Sequence, residues 1–218
     1  MSTGQIIFLV IGAFIFLVGL RAFLPRAIFL FAPAAISSRY LVDENAAEGH
    51  TEEFDAIVQR LQELGYTVNG VLREKAPLWG KTADNIILTA PDATEYVAVV
   101  QEKKGPYYYF QTIFEDGRIA VTAESGFRNM RTERLCQNIV KAEDIAEVLQ
   151  AHRNFVAEFS RAGGQPYREY TPELLERSTH LYYSLPESRH SMRRYGLTSL
   201  IILIILSIPF IIAIINVL

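Results

Sequence analysis

The sequence predicts an α+β fold: an antiparallel meander of about five or six strands with helices packed on one face, flanked by two transmembrane helices. Three observations predict it. Long uncharged apolar runs stand at both ends, the middle alternates with period two from Tyr66 to Val140, and helical periodicity brackets that alternating stretch.

From Gln5 to Leu24 the chain reads QIIFLVIGAFIFLVGLRAFL, about 20 residues that match a ~30 Å hydrocarbon core, with Arg21 near enough to the end to snorkel. From Gly196 to Leu218 it reads GLTSLIILIILSIPFIIAIINVL, without a charge. Ala32-Pro33-Ala34 has the small residues of a signal-peptidase site. The leading MSTGQ, however, carries no Lys or Arg, so the first run reads as an uncleaved anchor. Residues 25–36 either continue the first helix past Pro25 or lie in the interface as a short amphipathic piece. Gly12 and Gly19 permit a close helix contact without forming GxxxG.

A polar linker follows, and then a helix from Thr51. Thr51 serves as N-cap, Glu52 and Glu53 complement the helix dipole, and Phe54, Ile57, Val58, Leu61 and Leu64 make one apolar face ended by Gly65. YTVNGVLR, DNIILTA, TEYVAVVQ, PYYYFQTIFE and RIAVTAE are strand-length, β-branched and aromatic, and LCQNIV is a sixth candidate. Pro91-Asp92 and Asp116-Gly117 punctuate them, and Asp-Gly between alternating runs is a strong hairpin signal. A helix from about Ala142 to Arg161 presents Ile145, Val148, Leu149, His152, Phe155, Val156 and Phe159 on one stripe. Another starts at Thr171-Pro172-Glu173, an N-cap followed by proline at N1.

This divides the chain into an N-terminal transmembrane anchor and interfacial segment (1–36), a linker (37–50), a cytosolic α+β domain (51–195) and a C-terminal transmembrane helix (196–218). Orientation follows from Lys and Arg, which resist translocation. Arg21, Arg26 and Arg39 flank the inner end of the first run, and Arg189, Arg193 and Arg194 flank the second. The central domain is therefore expected in the cytoplasm, with both termini outside.

The single cysteine, Cys136, allows no intramolecular disulfide. A net charge of −3 with both signs mixed gives no basic field for nucleic acid. The aromatic run KKGPYYYF begins like an RNA-binding strand at Lys104-Gly105, but Pro106 stands where an aromatic is needed. Alternation puts Tyr108, Phe110, Thr112 and Phe114 toward the core and leaves Tyr107 and Tyr109 on the outer face, which suits a half-exposed sheet, a covering helix, or a partner or ligand surface. Trp79, the only tryptophan, lies in the longest loop between strands and reads as folded over the sheet edge, with an exposed partner or lipid contact as the sharper alternative. Arg189, Arg193 and Arg194 are expected at the membrane surface. Arg128, Arg131 and Arg134 are interleaved with acids and read as a solvated loop.

No histidine pair, CxxC or phosphate-binding glycine loop is present, so no metal or cofactor is expected. His152, within an apolar stripe, reads as a core histidine, with a buried pH switch as the sharper alternative. The bilayer and a protein are the expected partners, and an interaction or scaffold module at the membrane is the expected role. The alternatives are a tethered ligand sensor, or an enzyme whose groups converge from positions such as His152, Cys136, Asp84 and Glu102.

Overall fold

The computed structural model describes residues 2–42, 50–161 and 163–216. The elements run α1 (Thr3–Ala27), a 3₁₀ turn (Ile28–Leu30), β1 (Ser37–Leu41), α2 (Glu52–Glu63), β2 (Thr67–Lys75), β3 (Thr82–Thr89), β4 (Tyr96–Glu102), β5 (Gly105–Ile113), β6 (Ile119–Ala123), β7 (Met130–Arg131), β8 (Leu135–Ile139), α3 (Ile145–Ser160), α4 (Pro172–Ser184) and α5 (Pro186–Ile215). They form two compact units. One gathers α1, the 3₁₀ turn, α5 and the Lys75–Lys81 tip between β2 and β3; the other holds the sheet with α2, α3 and α4.

In the helical unit, both long helices are apolar and long enough to cross a membrane. They pack against each other through glycine. Gly12 lies against the backbone of Phe210, Gly19 against Leu206, and Gly196 so close to the backbone of Leu30 that a Cβ would collide with it. Gly12 and Gly19, seven residues apart, fall on one helix face. Small residues let the backbones approach, and dispersion between closely packed chains is what holds such pairs where no hydrophobic force acts. Phe16 stacks on Phe210 at 5.3 Å, and Gln5 Nε2 donates to Asn216 O at 2.9 Å. The helix continues through Pro25 to Ala27, and residues 28–30 follow as the 3₁₀ turn.

In the sheet unit, α2 begins where the sequence places it. Thr51 Oγ1 accepts from Phe54 N at 3.3 Å, and the helix closes in a Schellman motif: Tyr66 N donates to Leu61 O, Gly65 N donates to Gln62 O, and Gly65 has φ +90°. Asp116-Gly117 makes the expected hairpin, with Gly117 N donating to Phe114 O and φ +82° at the glycine.

The sheet itself corrects three expectations. Among the described residues it has eight strands in the order β1-β2-β3-β4-β5-β6-β8-β7, not five or six. It is not a pure meander, because β8 pairs parallel with β6 (Val121 opposite Gln137) and the two-residue β7 pairs antiparallel outside β8. Helices cover both faces, not one. Ile86, Leu88, Val97, Val99, Tyr108 and Phe110 pack with Phe54 and Leu61 of α2 and Val148 and Leu149 of α3. Ile87, Tyr96, Ala98 and Ile113, pointing the other way, pack with Leu174, Leu175 and Leu181 of α4. The physical reason is visible in the strands: VAVVQ and NIILT are apolar at consecutive positions, the mark of a strand buried twice.

Two boundaries also move. Residues 37–41 of the expected linker form β1, whose Tyr40 N–H donates to Glu176 Oε1 of α4 at 2.7 Å, while Ser38 Oγ donates to Glu176 O at 2.9 Å. Linker residues 43–49 lie outside the described residues. At the other end α5 starts at Pro186, so residues 186–195, assigned to the domain from sequence, are the first turns of the long helix.

One ion pair inside the sheet unit is asymmetric. Glu95 is 3% exposed and accepts from Arg153 Nη2 at 2.8 Å and Tyr66 OH at 2.7 Å, while the Arg153 side chain is 46% exposed. Removing the arginine strands a buried carboxylate, whereas removing the acid leaves a guanidinium that water can reach. Arg153→Met is expected to cost about 3 kcal/mol in denaturant unfolding of the full-length protein. Glu95→Gln is expected to cost less, because its amide keeps the contact with Tyr66.

Candidate functional site

The sheet face covered by α4 carries the densest polar grouping. Glu74 comes from the end of β2, Asn85 from β3, Tyr96 from β4, Tyr107 and Tyr109 from β5, and Ser178, Thr179 and Tyr183 from α4. Thr179 Oγ1 donates to Glu74 Oε1 at 2.8 Å. Ser178 Oγ donates to Leu175 O at 2.6 Å, so the Tyr96 hydroxyl, 3.2 Å from Ser178 Oγ, is the donor in that contact. Burial raises the Glu74 carboxyl above its ordinary range, partly countered by hydrogen bonds from Thr179 and Asn85. Burial pushes Tyr107 up to about 12 and Tyr109 and Tyr183 well above their usual value, with the Glu74 charge adding to each. These phenols therefore stay protonated donors at neutral pH.

Tyr107 and Tyr109 thus lie on the face opposite Tyr108 and Phe110, as alternation requires, but that face is covered. Phe127 meets Tyr109 edge to face at 5.2 Å, and a Cβ on Gly126 would touch the Tyr107 ring at 3.3 Å. Of the roles open to that face, the covering helix is the one present: α4 and the segment after β6 close over it.

At one end of the same face a cleft of about 330 Å³ is lined by residues that include Phe114, Asp116, Arg134, Tyr167, Arg177 and Leu185. This is at the small end of ligand-binding sites. Asp116 is engaged by Arg118, whose Nε donates to Oδ2 at 2.8 Å. Arg134 and Arg177 are exposed, and neither has an ion-pair partner among the described residues. The three arginines grouped in sequence are separated in space: Arg131 pairs with Glu158 at 2.9 Å, while Arg134 turns to the cleft. Arg177 carries no sequence signal of its own, being one charged position on an ordinary amphipathic helix.

Comparisons with protein-family models, curated proteins and solved structures return no match for this chain. The chemistry is therefore read from the residues alone.

The other sequence-derived positions fall as follows. Arg189, Arg193 and Arg194 are exposed on the first turns of α5, continuous with its apolar stretch. Trp79 is half-exposed, and its indole N–H donates to Arg21 O of α1 at 2.9 Å. Three of the residues considered for catalysis bond to separate partners, His152 among them. Asp84 pairs with Arg73 at 2.7 Å, and Cys136 Sγ accepts from Asn138 Nδ2 at 3.3 Å. Among the described residues no group of three or more His, Cys, Asp and Glu comes together as a metal site.

His152 is fully buried, stacked on Phe110 at 5.9 Å, with Nε2 3.0 Å from Thr112 Oγ1 and Nδ1 2.9 Å from Thr122 Oγ1. Thr112 Oγ1 gives its own proton to Thr94 O at 3.2 Å, so Nε2–H donates to Thr112 while Nδ1 accepts from the Thr122 hydroxyl, and the neutral ring is satisfied on both sides. Burial, helped by the charge of Arg153, pushes its pKa down from 6.5 to about 3. Between those values the unfolded chain takes up a proton that the folded chain refuses. The stability that this histidine contributes is therefore full above about pH 6.5 and is lost as pH falls toward 3. Between pH 7 and 5 the native protein should lose on the order of 2 kcal/mol more than a His152→Gln variant, read from denaturant midpoints at each pH.

Proposed function

We propose that this chain is an integral membrane protein of two spans that holds an α+β domain at the cytoplasmic surface as an interaction module. The observation that carries the reading is the exposure of the helix pair. Only 11% of the most apolar window of each long helix is covered, although the two helices pack on each other through glycine. A core helix of that composition in a soluble protein is covered. Here Phe14, Leu17, Ile201, Ile204 and Ile205 turn outward, a surface that suits hydrocarbon. Arg21, Arg26, Arg189, Arg193 and Arg194 gather at the ends of the helices nearer the domain in sequence, which supports a cytoplasmic domain with both termini opposite. The sheet unit, packed on both faces, supports a module that presents its surface.

The reading is tested on the native protein in cells. It should stay with membranes through an alkaline carbonate wash, and protease added outside intact cells should leave residues 50–185 uncut. Release by carbonate overturns the two spans, and digestion of the domain overturns the orientation.

The cleft beside Arg134 and Arg177 favours a second reading, a tethered sensor for an amphipathic anion. Two guanidiniums without an ion-pair partner among the described residues, beside Phe114 and Leu185, suit a carboxylate with a short apolar tail. Octanoate should bind and octanol should not. Arg177→Gln and Arg134→Gln should each weaken octanoate by about tenfold in titration calorimetry, the worth of one charge-assisted hydrogen bond.

A further inference from the structure

Pro25 lies inside α1 and has no N–H, so the carbonyl of Arg21, four residues earlier, loses the helical hydrogen bond it would otherwise accept. That freed acceptor is the one Trp79 takes, its Nε1–H donating to Arg21 O at 2.9 Å. The donor comes from the Lys75–Lys81 tip between β2 and β3, which belongs to the same compact unit as the two long helices.

The tip is a tightly built turn. Ala76 N donates to Lys81 O at 3.0 Å and Gly80 N donates to Pro77 O at 2.9 Å, and a Cβ on Gly80 would meet that of Ala76 at 2.6 Å. At its apex Leu78 has φ +56°, a left-handed conformation that glycine adopts freely and leucine does not. A strained leucine at the tip of a turn, followed by a tryptophan, presents two large apolar side chains outward, each 51% exposed. Phe31 of the same unit is also exposed, and Arg26 lies 5.8 Å over the ring of the half-exposed Tyr195. Tryptophan, tyrosine and arginine beside apolar helices are the composition of a membrane–water boundary.

We propose that the β2–β3 tip is a membrane-interface wedge: Leu78 and Trp79 enter the boundary between headgroups and acyl chains, and Trp79 is locked to α1 through the carbonyl that Pro25 frees. The partner is the lipid surface itself. The inference rests on the two-span reading and adds a third attachment, contributed by the sheet's own hairpin.

Trp79 is the only tryptophan, so indole fluorescence of the full-length protein reads this site alone. In vesicles of phosphatidylcholine and phosphatidylglycerol, its emission should shift to the blue. Lipids brominated near the headgroup end of the acyl chain should quench it several-fold more than lipids brominated near the methyl end. Acrylamide in the water should quench it weakly. Pro25→Ala restores an N–H that competes for the Arg21 carbonyl, and acrylamide quenching should rise several-fold. Leu78→Gly relieves the backbone strain, so it should fold at least as well as the native chain yet lose most of the bromolipid quenching.

Acrylamide quenching as free as in the unfolded chain overturns the wedge. So does an indole shielded from both acrylamide and bromolipid, which would place it against protein. Flotation of the vesicles after an alkaline wash reads the spans separately. Protein that floats without bromolipid quenching overturns the wedge alone, and protein that does not float overturns the two-span reading and the wedge with it.

Discussion

The sheet is apolar on both faces, and everything around it answers that constraint. Val97 and Val99 point one way, Tyr96 and Ala98 the other, and all four are buried. Each buried face needs its own helical cover, since leaving one bare would cost roughly 1.5–3 kcal/mol for every large side chain exposed. α2 and α3 close one side and α4 the other. The buried polar groups follow from this arrangement: Glu95, His152 and Glu74 all lie between sheet and helix, and each is held by partners that the opposing layer supplies. A core that must be filled from two sides leaves its ligand-sized space at the margin, where the arginine-lined cleft lies.

The helix pair obeys a different rule. On the two-span reading, apolar side chains in hydrocarbon gain no hydrophobic energy by meeting each other, so contact depends on how closely backbones approach. Gly12, Gly19 and Gly196 supply that closeness, and the stacked Phe16 and Phe210 fill the space beside them. Pro25 breaks the internal hydrogen-bond ladder of α1 near its end, and a side chain from elsewhere in the unit repairs it.

The sequence carried the helices with good accuracy because their ends are chemical: Thr51 and Thr171 cap as expected, and each accepts from the backbone N–H three residues on. The central strands were legible from alternation. What was not legible is what depends on distant partners. Consecutive apolar residues in NIILT and VAVVQ could have signalled a second cover, but the helix that provides it is an unremarkable amphipath until its neighbours are known. β1 was hidden because SSRYL has no alternation, and it is a strand only because β2 pairs with it. β7 is too short to leave any pattern. At the candidate sites, the loop around Trp79 left its exposure open, since the carbonyl it meets belongs to α1, and the pairing of Arg134 with Arg177 around one cleft joins a loop to a helix and has no trace in spacing.

The two margins of the sheet bear on how copies of the protein coexist. A strand edge offers unpaired amides to any neighbour, and on the two-span reading neighbours would be concentrated in a plane and presented in one orientation. One margin here is β7, only two residues long, too short to template another strand. At the other, β1 gives an amide to Glu176 and its Ser38 hydroxyl to the same residue's carbonyl. Among the described residues one margin is thus too short to extend and the other has its Tyr40 amide already taken, so crowding on a surface would favour domains lying side by side over sheets that join.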